Sequence, residues 1–201
     1  MNFLGHAVLG FDEPELIVGN MIADYVKGRK ILETFPEGIK QGILLHRKID
    51  AFTDHHPQTL KLKIYFRPAY RLYAGPCVDH LYDHYLANDP YYFSNTEALL
   101  DFEQKVFNLL DEYEAVLPET FKQVLFYMKQ GQWLSDVKKI KGLERSFKRL
   151  ERMGKYMPDA SEAYTTSIGH YYEMNQRFFD FMEDVRAYAK LEIENYNPAL
   201  S

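Results

Sequence analysis

Apolar residues recur at helical spacing along almost the whole chain, and this periodicity restricts its fold more than any other feature. The clearest example follows Ser94-Asn95-Thr96-Glu97, which has the form of a helix-capping box. The large apolar residues after it fall on one side of a helix: Leu99, Phe102, Val106, Leu109, Leu110 and Tyr113. No segment alternates long enough between apolar and polar residues to be assigned as a strand. The sequence therefore predicts an all-α fold.

Proline and glycine residues mark where the predicted helices begin and end. Besides the helix after Ser94, the predicted helices run from Pro14 to Gly28, from about Pro36 to Thr53, onward from Pro57, through Asp79–His84 after Gly75-Pro76, and onward from Glu119, Trp133 and Ser161. The last of these is expected to continue to about Glu192. Nothing marks a linker or an internal repeat, so we predict one domain over residues 1–201.

The amino-acid composition excludes several classes of protein. Apolar residues make up 46% of the chain and charged residues 26%, which is enough for the core of an ordinary globular protein. Cys77 is the single cysteine, which excludes an internal disulfide framework and a zinc site built from several cysteines. Cys77 has no assignable base, so a catalytic cysteine is a weak alternative. With no signal-peptide pattern and no run of about 20 apolar residues, we expect a soluble cytoplasmic protein that does not enter a membrane.

Several acidic and imidazole side chains are spaced four residues apart, which places each pair on one helical face. These pairs are Asn20/Asp24, His46/Asp50, Asp79/Asp83 and His80/His84. If they converge from different helices, they form a polar pocket of the kind that binds metal ions in helical bundles. Each pair also has an ordinary interpretation as a surface ion pair, a helix cap or a core histidine. The residues by themselves leave both interpretations open.

The segment Lys138–Lys155 contains eight Lys and Arg residues against two Glu, although the whole chain has a net charge of −5. A solvated helix face explains this basic stripe, and so does a docking surface for one acidic partner. The acidic balance of the rest of the chain argues against a general nucleic-acid-binding protein.

The chain resembles the acyl carrier protein phosphodiesterases, also called holo-acyl-carrier-protein hydrolases, over roughly its first 90 residues. Met1-Asn2-Phe3-Leu4-Gly5-His6 opens the resemblance. The other matching positions, in chain order, are 12–16, 19–28, 42–54, 56–57, Arg71, Gly75, Asp79 and 82–87. The resemblance implies a helical fold similar to the HD-type phosphohydrolases. It also implies a Mn²⁺-dependent enzyme that removes 4′-phosphopantetheine from holo-acyl carrier protein, a small acidic protein.

No His residue is directly followed by Asp, so the usual HD ligand order cannot be transferred. From the family's own motif positions, the expected metal ligands are Asp24, His46, Asp50, Asp79 and Asp83. The resemblance also implies a catalytic role for Asp24. The other catalytic residues that it implies are His6, Asn20, Lys27, Arg47, Arg71 and His84. His80 is left outside this set.

Each implied residue has an expected role. Lys27, Arg47 or Arg71 would bind phosphate oxygens, and Asn20 would position water or phosphate. His6 or His84 would protonate the departing serine oxygen. The basic stripe would receive the acidic carrier protein. Two alternatives remain: a metal-dependent phosphohydrolase acting on a nucleotide or another small phosphate ester, and a non-catalytic helical module that binds an acidic partner.

Overall fold

The computed structural model describes residues 1–196, apart from the side chain of residue 29. Over these residues every regular element is a helix, which confirms the all-α prediction. Residues 197–201 of the predicted domain lie outside the described residues. None of the helices in the described part is long and apolar enough to span a membrane.

The α-helices of the described residues, in chain order, are α1 (Phe3–Val8), α2 (Pro14–Ile22), α3 (Arg29–Leu32), α4 (Glu37–His55), α5 (Pro57–Tyr70), α6 (Ala74–Asn88), α7 (Thr96–Glu112), α8 (Glu119–Gly131), α9 (Trp133–Asp136), α10 (Ile140–Met153), α11 (Ser161–Gly169) and α12 (Tyr171–Tyr196). Short 3₁₀ turns follow α2 at Ala23–Tyr25 and separate α5 from α6 at Arg71–Tyr73.

Several helix ends differ from the sequence prediction. Gly75-Pro76, expected before the Asp79–His84 helix, lies inside α6, and the helix predicted to begin at Trp133 ends at Asp136. The cap of α7 is Asn95, whose side chain accepts a hydrogen bond from the backbone N–H of Ala98 (2.9 Å), so the predicted capping box is shifted by one residue. The helix opened by Pro14 changes to a 3₁₀ turn after Ile22. The segment after Ser161 forms two helices instead of one, because α11 ends at Gly169.

Helices α2 and α4 approach each other closely at a pair of glycines. A methyl group added to Gly19 would lie 2.7 Å from the Cα of Gly42, and one added to Gly42 would lie 2.6 Å from the carbonyl oxygen of Leu16. Both obstructing atoms belong to the backbone, so no side-chain rotation could relieve the contact. The absence of side chains at Gly19 and Gly42 therefore sets the distance between the two helices.

Helix α6 lies deep in the molecule and contacts several other helices. Its apolar residues Val78, Leu81 and Leu86 are fully buried, and the helix packs against α5, α10 and α1. The contacts with α1 and α10 place α6 between the N-terminal segment and the basic stripe. The site described next lies where α1, α2, α4 and α6 meet.

Candidate metal and phosphoester site

Two imidazoles and one carboxylate converge from α1 and α4. Ligand atoms of His6, His46 and Asp50 all lie within 4.8 Å of one another. The Nε2 atom of His6 is 3.0 Å from one oxygen of Asp50, and the Nε2 atom of His46 is 3.0 Å from the other. The two rings stack with their centroids 3.7 Å apart. Residues separated by up to 44 positions in the sequence thus form one compact group, which we call the His–Asp cluster.

The His–Asp cluster is buried on one side and accessible on the other. His6 and His46 are buried, whereas the side chains of Asp50 and Asp24 are 39% and 72% exposed. Asp24 lies 3.3 Å from the Nε2 atom of His46 and forms the outer edge of the cluster. A substrate can therefore approach from the side of the two carboxylates.

Asn20 fixes the positions of both histidines. Its backbone carbonyl accepts a hydrogen bond from Nδ1 of His46 (2.8 Å), which leaves Nε2 of the neutral ring without a proton. Its side-chain amide donates to the backbone carbonyl of His6 (2.9 Å), and the residue is fully buried. These contacts give Asn20 a role in positioning the histidines. Its side-chain oxygen has no partner among the described residues, and the role in positioning water or phosphate remains a prediction.

The electrostatics of the cluster reflect burial and close opposite charges. Burial lowers the pKa of His6 to about 3, and the neighbouring His46 adds to this effect. Burial also acts to lower the pKa of His46, but Asp24 and Asp50 outweigh it and raise that pKa to about 9. The two imidazoles hold the pKa of Asp50 well below its usual range despite the cost of burial. In the absence of a metal ion, the His46 proton and the amino group of Met1 offset the charge of the carboxylates.

The donor set fits a divalent cation such as Mn²⁺. Nε2 of His46 is buried and close to two carboxylates, yet neither is aligned to form a hydrogen bond with it. A buried polar atom without a hydrogen-bond partner, placed 3.0–3.3 Å from two carboxylates, is consistent with a site for an ion. Imidazole nitrogens together with carboxylate oxygens suit Mn²⁺, among other first-row metals. The group that fits is therefore His6, His46, Asp50 and Asp24.

Asp79 lies beside the His–Asp cluster and does not belong to its three-residue core. The amino nitrogen of Met1 is 3.2 Å from a carboxylate oxygen of Asp79 and 3.2 Å from one of Asp50. Burial raises the pKa of Asp79. The structure thus brings Asp79 next to the predicted ligands through Met1, and its role as a direct ligand remains a prediction.

Asp83, a predicted metal ligand, instead anchors the first helix. Its two carboxylate oxygens accept hydrogen bonds from the backbone N–H groups of Leu4 (2.9 Å) and Gly5 (3.0 Å). These N–H groups lie in the first turn of α1 and have no partner within that helix. Asp83 therefore holds α1, and with it His6, against α6. Its contacts do not support the ligand role that the family resemblance implies.

His84, a predicted proton donor, makes its contacts away from the cluster. It donates from Nδ1 to the carbonyl of Val137 (2.6 Å), and its Nε2 accepts from the hydroxyl of Tyr171 (2.9 Å). The residue is fully buried. Because both ring nitrogens are occupied by structural hydrogen bonds, the structure does not support the predicted catalytic role.

The three basic residues predicted to bind phosphate have different surroundings. Lys27 and Arg71 are exposed, Lys27 beyond the 3₁₀ turn that follows α2 and Arg71 between α5 and α6. Arg47 donates to the backbone carbonyl of Val26 (2.9 Å) and so fixes the chain that follows Asp24. Binding of phosphate by any of the three remains a prediction.

A cavity of about 200 Å³ lies beside the cluster and contains residues that the sequence did not assign to the site. Its lining includes Asp24, then Asp79 and His80 of α6, and Arg149 of α10. His80 accepts a hydrogen bond from the side chain of Asn2 if its Nδ1 is unprotonated (3.2 Å). Helical spacing placed His80 beside Asp79 and Asp83, but no sequence signal separates Arg149 from the other basic residues of its helix.

Comparison with known protein families matches residues 1–185 to the family described as "Acyl carrier protein phosphodiesterase". The chain belongs to this family. The match extends far beyond the first 90 residues on which the resemblance was based, and it includes α10 and most of α12.

Curated relatives agree with this membership. The acyl carrier protein phosphodiesterase of Enterobacter sp. (strain 638) is 25% identical over 190 residues, covering 94% of this chain and 98% of the relative. That of Photorhabdus laumondii is 27% identical over 195 residues, covering 90% and 91%. No solved structure matches the chain significantly. The similarity to HD-type phosphohydrolases therefore stays a prediction.

Proposed function

We propose that this protein hydrolyses the phosphodiester that joins 4′-phosphopantetheine to a serine of acyl carrier protein, giving the apo carrier protein. The observation that carries this proposal is the convergence of His6, His46 and Asp50 in a chain that matches the family over residues 1–185. The named activity of the relatives is cleavage of a phosphodiester, which a cluster of this composition can support.

The proposal includes a divalent cation, with Mn²⁺ as the expected ion. His6, His46, Asp50 and Asp24 would hold it, since their nitrogen and oxygen atoms fit such an ion. When bound, Mn²⁺ supplies Lewis acidity that polarises a phosphoryl oxygen and makes water more acidic.

The protein's own residues determine how the substrate meets the cluster. Asn20 holds His46 in the tautomer that leaves Nε2 unprotonated, and Asp83 keeps α1 in place so that His6 faces Asp50. Asp24 is exposed, lines the cavity and can accept a proton from water at the outer edge of the cluster. The buried side of the cluster excludes bulk water behind the two imidazoles.

We also propose that the carrier protein docks on the basic stripe of α10. This helix packs against α6, on which Asp79 and Asp83 lie, and Arg149 connects its surface to the cavity. Part of the stripe's charge is internally neutralised, because Arg145 pairs with Asp136 and Lys148 pairs with Glu144. Arg152 and Lys141 remain exposed and can attract an acidic protein.

Mass spectrometry of holo-acyl carrier protein incubated with the protein and Mn²⁺ tests the reaction directly. We expect conversion to the lighter apo form, and loss of conversion when EDTA removes the cation. His46→Ala should reduce the rate by about 100-fold or more, as expected when electrostatic stabilisation is lost at a site of this type. It should also lower the bound manganese measured by elemental analysis. Circular dichroism controls for unfolding.

Two results would contradict the proposed substrate or the proposed metal site. If the mass of the carrier protein does not change while a nucleotide or another small phosphate ester is hydrolysed, the proposed substrate is wrong. If His46→Ala remains folded and retains both activity and manganese, the His–Asp cluster is not the metal site.

A further inference from the structure

Arg149 occupies the junction between the cavity of the His–Asp cluster and an open groove on the surface. The inner cavity reaches Asp24 and Asp79, and the outer groove, of about 750 Å³, runs past Tyr127 and Arg152. Arg149, Trp133 and Met153 line both spaces. A group that passes from the surface toward Asp24 by this route therefore meets the side chain of Arg149.

The guanidinium of Arg149 has no carboxylate partner, unlike Arg145 and Lys148 on the same helix. Arg145 donates to Asp136 (2.8 Å) and Lys148 to Glu144 (2.7 Å). Among residues 1–196, no carboxylate lies within ion-pair distance of Arg149, and no hydrogen bond involves its side chain. Burial lowers the pKa of Arg149 to about 10, so the group still carries its charge at neutral pH. A half-buried charge without a partner is costly, which indicates that an anion binds there.

Trp133 holds this guanidinium in place. The central carbon of the Arg149 guanidinium lies 4.7 Å from the centre of the Trp133 ring, which is a cation–π contact. Stacking fixes the plane of the guanidinium and leaves its N–H groups free to form paired hydrogen bonds. Such paired bonds match the oxygens of a phosphate group.

We propose that Arg149, stacked on Trp133, binds the phosphate oxygens of the substrate where the groove enters the cavity. This inference rests on the function proposed above and names Arg149 as the residue that binds the substrate phosphate at the entrance of the cavity. The inner cavity is also lined by Met1, whose amino group pairs with Asp79, and by Asp24, whose exposed carboxylate repels a phosphodiester. The positively charged guanidinium of Arg149, on the wall of the same cavity, offsets that repulsion and orients the phosphodiester toward Asp24.

Trp133 is the single tryptophan of the sequence, so its fluorescence reports directly on this site. The experiment titrates the full chain with 4′-phosphopantetheine and, as a matched control ligand, with pantetheine, which lacks the phosphate. Both titrations are made in EDTA so that bound metal does not contribute. The phosphorylated ligand is expected to bind about tenfold or more tightly, the scale of one hydrogen bond to a charged group.

Substitution separates Arg149 from the rest of the basic stripe. Arg149→Met should remove the preference for the phosphorylated ligand, and Arg149→Lys should retain part of it because the charge remains without the planar fork. Arg152→Met is the matched control: it lies on the same helix and lines the outer groove only, so the preference should be unchanged. Calorimetry provides the affinities if a substitution alters the fluorescence itself.

Equal affinity for the two ligands, or an unchanged preference in folded Arg149→Met, would overturn the proposal. So would a folded Arg149→Met variant that binds 4′-phosphopantetheine as tightly as before but has a higher KM for holo-carrier protein, because Arg149 would then contact an acidic side chain of the partner. Failure of the proposed function looks different: the phosphate preference persists and depends on Arg149, while holo-acyl carrier protein is not converted.

Discussion

Asn20 contacts the segments that carry both imidazoles of the His–Asp cluster, through its carbonyl to His46 and through its amide to His6. The sequence identified Asn20 as polar within an apolar helix, which is a real signal of a special role. Spacing could not show whether such a residue touches substrate or another protein group. That distinction depends on the fold, because the partner atoms lie 14 and 26 residues away.

The hydrogen bonds of His84 give a prediction about stability and pH. Burial lowers the pKa of folded His84 below its usual value of 6.5, so the unfolded chain binds the proton more readily. The stabilising contribution is therefore complete above about pH 6.5 and decreases as the pH falls below it. His84→Gln, which cannot titrate, should show a smaller loss of unfolding free energy between pH 7.5 and pH 5.0 than the wild type. The limit for one proton is about 1.4 kcal/mol per pH unit.

Urea denaturation at the two pH values measures this difference. His6 has a lowered pKa too, but it is present in both proteins, so the comparison isolates His84. His84→Gln is also expected to retain most of the phosphodiesterase activity. A parallel pH dependence in the two proteins would show that His84 does not contribute to the loss of stability at low pH. Complete inactivity of the folded variant would support the catalytic role predicted from the family.

At the scale of elements, the contact between α2 and α4 determines whether the site is assembled. Gly42→Ala would place a methyl group 2.6 Å from the carbonyl oxygen of Leu16 and 2.8 Å from the Cα of Gly19. The helices must then separate, which moves Asp24 and Asn20 away from His46. We expect a loss of about 1–3 kcal/mol in unfolding free energy, as for other overpacked cores. A displacement of about 1 Å at the site is expected to reduce activity by about 100-fold.

Thermal unfolding and the carrier-protein assay measure these two effects. Gly169→Ala is a suitable control, since a methyl group there meets no atom within 4 Å. Alanine normally stabilises a helix relative to glycine, so destabilisation by Gly42→Ala alone would identify the steric contact. A stable and active Gly42→Ala variant would show that α2 and α4 tolerate a wider spacing.

The sequence predicted which segments form helices more accurately than it predicted the residues at which the helices begin and end. Apolar periodicity located α4 and α7 to within a few residues, because an amphipathic face is a property of the local sequence. The break at Gly169–His170 was missed, since the apolar pattern continues on both sides of it. His46 and Asp50 were placed correctly as a pair by their spacing. The role of Asp83 in anchoring α1 could not be predicted from the sequence, because its hydrogen-bond partners lie 78 and 79 residues away.

At the scale of the whole molecule, the uneven distribution of charge gives a prediction about association. The chain has a net charge of −5, yet α10 presents exposed basic residues beside the groove. Lys141→Glu combined with Arg152→Glu should raise KM for holo-acyl carrier protein several-fold at low salt, with little change in kcat. Electrostatic attraction is screened over about 10 Å at 0.1 M salt, so the difference should shrink as salt is added.

Steady-state kinetics at several salt concentrations measure this effect. Lys61→Glu combined with Arg67→Glu changes the charge equally on α5, at exposed residues, and should leave KM nearly unaffected. If both double variants raise KM to the same extent, the carrier protein responds to net charge and not to the basic stripe.

The hydrogen bonds from Asp83 to the start of α1 have a consequence for the order in which the molecule forms. His6 is fixed only after α6 has been synthesised and has packed, although His46 and Asp50 are already on one helix. Contacts over such long sequence separations are completed late in folding. The metal site proposed above is therefore expected to be complete only after the chain has collapsed.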